Sequence, residues 1–158
     1  MNRNISFALF MVIIFCSCHN SNGFDKQKET QAITAILQHE RKAHFDRNAD
    51  LFISTFADSM LSVNRGKVSM TTPEENKERF GKYFGSVKFI KWDDVAAPII
   101  RFSDDGSLAY AIIQKQVILS TTDSGGKPVT DTTDYAWASV YRKKEGKWEG
   151  ECNISTNK

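Results

Sequence analysis

The chain has 158 residues, of which 41% are hydrophobic and 25% charged, and its formal net charge is +2. That is room for one domain with its own core plus an extension. Dispersed Lys and Arg at near-neutral charge argue against a nucleic-acid face, which concentrates its cations. The densest basic group, Arg142-Lys143-Lys144, runs into Glu145-Gly146 and reads as an exposed hairpin turn.

In chain order, Arg3 gives one positive charge ahead of an almost wholly apolar run over 5–15. About eleven residues cannot span a bilayer, which takes about twenty, but they suit a secretory signal. Cys16 and Cys18, one residue apart, make poor disulfide partners. With His19 they still lack the fourth ligand and folded frame of a metal site. Lipid attachment remains. "FCSC" at 15–18 resembles a bacterial lipobox, with Phe15 where Leu is more usual. That resemblance makes Cys18 the first mature residue and the bearer of the acyl chains, a membrane anchor, while Cys16 leaves with the signal. His19 rather than Asp after it implies an outer-membrane address in the cell envelope. The alternative is an ordinary cleaved signal and a soluble periplasmic or secreted protein. The expected division is a signal peptide at 1–17, a flexible tether at 18–25 and a domain at 26–156. Cys152 is then the one thiol of the domain, expected to act as a small apolar residue without a disulfide framework.

From Lys26 the apolar residues recur at helical spacing through Ile33, Ile36, Leu37 and Phe45, and Asn48 ends the helix. Residues 49–58 predict a second, short helix. Residues 59–70 alternate around Asn64-Arg65-Gly66, a hairpin signal. Thr72, Pro73, Glu74 and Glu75 open a third helix, which Gly85 is expected to stop. Long strands follow at 87–102, 108–122, 133–143 and 146–155. Turns at Asp104-Asp105-Gly106, Ser124-Gly125-Gly126 and Lys144-Glu145-Gly146 join them. Pro98 and the preceding "DDV" mark a bend in the first strand.

Helices followed by long antiparallel strands give an α+β domain with its helices on one face of a curved sheet. The order resembles the NTF2-like superfamily, in its SnoaL-like and DUF4440-like branches. The residues that carry the likeness are "FDRNADLFISTFAD", "DDGSLAYAI" and "SVYRKKEGKWEGE". The resemblance implies a cone, a strongly curved antiparallel sheet wrapped around about three helices, with a pocket between them. Members include dehydratases, ketosteroid-type isomerases and polyketide cyclases as well as binding modules, so fold alone does not decide activity. It also permits a homodimer formed through the sheet.

At 3.6 residues per turn, Glu40 and His44 fall within about 20° of Ile33, on the apolar stripe of the first helix. Polar groups there are costly unless paired, so they either satisfy each other or line a pocket, with Glu40 orienting His44 as a base or hydrogen-bonder. "HERKAH" is not a zinc motif, because His39 and His44 stand about 140° apart on a helix. Strand parity puts Tyr135, Trp137, Ser139 and Tyr141 on one face and Tyr110, Ile112, Gln114 and Gln116 in another row. Parity does not say which row points inward. Asp134 with Tyr110 or Tyr135 could supply the carboxylate and phenol of isomerase chemistry, or could simply be solvated. The candidates are therefore Glu40, His44, Tyr110, Gln114, Asp134, Trp137 and Ser139, with no metal or cofactor motif. The expected function is a membrane-anchored, non-catalytic module that binds a small apolar ligand or a partner protein. Alternatives are an isomerase, dehydratase or cyclase working through a carboxylate or His, and a dimeric structural lipoprotein.

Overall fold

A computed structural model of the chain describes residues 24–157. Cys16, Cys18 and the segment read as signal peptide lie outside the described residues. Asp25 caps the first helix, α1 (Lys26–Asp46), by accepting from the backbone N–H groups of Gln27 and Lys28. Arg47, in the left-handed region at φ 52°, ends it, and Asn48 caps α2 (Ala49–Ile53). The second helix is shorter than its spacing suggests, because the chain has already turned into strand β1 (Phe56–Asn64). Arg65-Gly66, both at positive φ, forms the tight turn to β2 (Lys67–Thr71). A reciprocal capping box between Thr72 and Glu75 starts α3 (Pro73–Ser86), which continues through Gly85.

The expected first long strand is two pieces, β3 (Lys88–Asp94) and β4 (Ile99–Phe102), broken at 95–98. Both pair with the same edge of β5 (Leu108–Thr122). Strand β6 (Pro128–Lys144) begins earlier than expected and pairs with β5 along its whole length. A second tight turn at Glu145-Gly146 leads to β7 (Lys147–Asn157).

The sheet corrects the sequence expectation. Its order is β2-β1-β7-β6-β5-β3, and β1 runs parallel to β7, so it is mixed rather than antiparallel. It is also open: β2 and β3 end the path without meeting, so no strongly curved sheet closes around the helices. The physical reason lies in the connections. Hairpin signals specify only neighbours along the chain, whereas β1 and β7 meet from opposite ends after α3 has carried the chain to the far edge.

The helices pack on one face in two clusters. Ile33 and Leu37 of α1 meet Ala111, Ile113, Tyr141 and Trp148. Phe84 of α3 meets Phe89 and Val117, with Phe52 and Trp92 at the margin. One polar contact pins α1 across the sheet. Glu29, only 8% exposed, accepts from Trp148 Nε1 at 2.6 Å and from Lys143 Nζ at 2.6 Å. Those bonds hold its carboxyl below the ordinary range, Lys143 contributing most. The basic cluster is therefore not only a solvated turn: Arg142 pairs with Glu151 and Lys144 with Asp58, but Lys143 turns inward. Among the described residues no helix is long and apolar enough to cross a membrane.

Candidate active site

The inner sheet face and the three helices enclose a cavity of about 300 Å³. Helix α1 presents Glu40 and His44 to it, and β6 presents Tyr135, Trp137, Ser139 and Tyr141. The β6 row is inward because Ser139 pairs with the buried Ala111 and Tyr141 with the buried Ala109. Tyr110 lies opposite Val140 and is 45% exposed, on the outer face. Gln114 shares that face, and exposed Asp134 accepts a long 3.4 Å hydrogen bond from Gln116. The structure thus gathers Glu40, His44, Trp137 and Ser139 around one cavity and leaves Tyr110, Gln114 and Asp134 outside it.

His44 is 4% exposed and sits in an aromatic box. Its ring stacks on Trp92 at 3.8 Å between centroids and meets Phe52, Phe84 and Phe89 edge-on. Its Nδ1 lies 2.7 Å from the Glu40 carbonyl oxygen, which can only accept, so the proton is on Nδ1 and Nε2 keeps its lone pair. It is the Glu40 backbone, not the carboxylate, that orients His44. Burial pushes this imidazole down to about 4, against the hydrogen bond to Glu40 and with some help from the charge of Lys115.

The Glu40 carboxyl faces the cavity and takes no hydrogen bond from the described residues. Loss of water pushes it up to about 7, and the attraction of Lys115 only partly opposes this. Lys115 is itself 4% exposed and pairs with Asp94 beneath the site. A carboxyl near 7 is half ionised at neutral pH, the condition for taking and returning a proton.

Tyr141 is the residue that sequence reasoning placed on the right face but did not select. Its ring is 1% exposed and its hydroxyl has no hydrogen-bond partner among the described residues. Burial raises its titration above the ordinary range, the charge of Glu40 raises it further, and Ser139 pulls slightly the other way. Ser139 lies near without meeting hydrogen-bond geometry, and its oxygen instead accepts from Asn153 Nδ2 at 3.2 Å. A buried phenol kept protonated, with an unused O–H close to a carboxylate, is equipped to donate to a ligand. Its signal in the sequence was its shared face with Trp137 and Ser139. Among the described residues no three His, Cys, Asp or Glu side chains gather to hold a metal ion. Among the described residues Glu40 is the one carboxylate on the cavity wall.

No family model and no curated protein matches the sequence. Solved structures do match. A ketosteroid isomerase-like protein from Erwinia carotovora atroseptica superposes with a TM-score of 0.65 at 17% identity, over 85% of this chain and 98% of that one. An NTF2-like superfamily protein from Salmonella enterica gives 0.69 at 18% identity, over 83% and 92%. An NTF2-like protein from Cytophaga hutchinsonii gives 0.64 at 12% identity, over 82% and 98%. At such identities the likeness concerns architecture: residues 24–157 have the NTF2-like fold.

Proposed function

We propose that the domain is an enzyme that moves a proton on a small carbonyl compound, an isomerase, dehydratase or cyclase. Glu40 acts as general base and acid, and Tyr141 as the donor to the carbonyl oxygen. The observation that carries this is the pairing of an unbonded carboxyl near 7 with an unpartnered phenol on one cavity. The resemblance in fold to an isomerase-like protein supports the same direction. The non-catalytic module expected from sequence rested on the lack of an assignable catalytic set, and Glu40 with Tyr141 supplies one.

The chemistry follows from these positions. Ionised Glu40 takes the proton α to the carbonyl, the C–H electron pair forms the enolate C=C bond, and the carbonyl π pair moves to oxygen. Tyr141 O–H stabilises that oxygen by a bond that strengthens as charge develops. The Glu40 carboxyl then returns its proton to the γ carbon, which is isomerisation, or to a departing β-hydroxyl, which leaves as water. His44, neutral and boxed in, packs the helix against the aromatic cluster.

Cyclohex-3-en-1-one in D₂O tests the proposal, with conversion to the conjugated enone and deuterium uptake followed by proton NMR. Tyr141→Phe is expected to slow conversion by about 10²-fold. The same variant should leave the stability unchanged or slightly raised, because it removes a hydroxyl that no group satisfies. Equal rates in wild type and Tyr141→Phe would remove the phenol from the mechanism.

The anchor at Cys18 is part of the same proposal. The full-length chain made in a bacterial host is expected to incorporate labelled palmitate, and Cys18→Ser to lose the label. Label retained in that variant would remove the anchor.

A further inference from the structure

The β1–β2 hairpin changes character along its length. The row that faces the cavity starts with buried Met60 and continues with Ser62, Asn64, Lys67 and Ser69, the last three exposed near the turn. On the other face Leu61 and Val63 are half-buried, while Val68 and Met70 are each 69% exposed. Toward the turn, burial therefore no longer selects the side chains, and polar positions that line a depression mark a place where a fold can serve a ligand.

The inward polar row has a continuous space to line. Ser62, Asn64 and Arg79 belong to the wall of the main cavity and equally to a second depression of about 290 Å³. That depression is completed by Arg65, Lys67 and Ser69. Its three cations meet no carboxylate among the described residues. Four acids of α2, β1 and α3 are committed elsewhere: Glu78 to Lys82, Glu75 to the α3 cap, Asp58 to Lys144 and Asp50 to Lys77. Arg79 is held in place from both sides. Its guanidinium lies 4.5 Å over the Phe80 ring, and Nη2 donates to Asn76 Oδ1 at 2.9 Å. Asn76 is 1% exposed and also accepts from Thr71 Oγ1. A positioned, planar, uncompensated guanidinium at a cavity mouth is suited to an oxyanion.

We infer that the ligand is an organic anion whose apolar, carbonyl-bearing body lies between Glu40 and Tyr141 and whose terminal carboxylate or phosphate is held by Arg79, Arg65 and Lys67. This rests on the catalytic reading only for where the carbonyl end sits. The anion site is read by binding, which does not require turnover.

The probes are 4-oxocyclohexanecarboxylate and its neutral methyl ester, titrated calorimetrically into the domain at low salt. Wild type is expected to bind the acid about tenfold more tightly than the ester. Arg79→Gln should bring the two affinities together by weakening the acid alone. The exposed-turn double variant Arg65→Gln/Lys67→Gln should do the same to a smaller degree without risk to the core. Glu40→Gln should keep the preference for the acid, so a failed turnover assay with this preference intact would sink the catalytic reading and spare the anion site. Tighter binding of cyclohexylmethyl phosphate than of the acid would assign the anion as phosphate. No binding of the acid, equal binding of acid and ester by wild type, or a preference untouched by both sets of substitutions would overturn the inference.

Discussion

Glu40→Gln is expected to slow enone conversion by about 10²- to 10⁴-fold, the usual contribution of a placed general base. Gln keeps the shape of Glu and removes only the ability to carry the proton. The variant should also be more stable than wild type above neutral pH. In the native domain the Glu40 carboxyl is raised from 4.5 to about 7, so ionising it costs the fold up to about 3 kcal/mol at high pH. Gln never pays that cost. Chemical denaturation at about pH 8, alongside the NMR rate, checks both halves. A variant that turns over like wild type would rule out Glu40 as the base.

The second large effect is a dependence on pH that wild type conceals. His44 is lowered from 6.5 to about 4, so between those values the unfolded imidazole holds a proton that the folded one lacks. Stability from His44 is therefore present above about 6.5 and lost as pH falls toward about 4. Glu40 has the opposite sign. Between 4.5 and about 7 the folded carboxyl holds a proton that the unfolded one has released. Its share of stability is present below 4.5 and lost as pH rises through about 7. Each share is about 3 kcal/mol at most, and the two windows overlap, so wild type should be nearly flat from about pH 4.5 to about pH 6.5. Glu40→Gln removes one side of the balance. Its stability should fall by about 3 kcal/mol on acidification from about pH 6.5 to about pH 4. His44→Phe should show the mirror trend, losing stability as pH rises from about 4.5 to about 7. Denaturant melts at half-unit steps of pH decide it, and parallel flat curves for all three proteins would refute the balance.

Much of this site was legible in the sequence, and the limits have physical causes. Helical spacing alone placed Glu40 and His44 on the stripe that packs inward. Strand parity alone grouped Trp137, Ser139 and Tyr141. Parity could not give the sign of the β5 row, because that sign depends on register. Tyr110 falls outside since it pairs with Val140, one position along from the inward Ser139 and Ala111 pair. Asp134 is outside for the same reason, as the neighbour of inward Tyr135. The special status of Tyr141 is a matter of what it does not touch, which no sequence pattern records. The parallel union of β1 and β7 was equally hidden, since hairpin turns speak only for adjacent strands. The first hairpin could be read as alternation, but not for which of its polar positions line a depression.

The pin between Glu29 and the last hairpin has a consequence for how the domain comes into being. Its two bonds join residues 114 and 119 positions apart, and Leu61 of β1 waits for Cys152 of β7, 91 positions on. Helix α1, which carries Glu40, is made before the other described elements, yet its resting place is finished only when Trp148 has been made. Contacts so remote in sequence are slow to close. The cavity is complete only once β7 is in place, and a fragment ending before β7 would hold Glu40 without the wall that Gly150, Cys152, Asn153 and Ser155 supply.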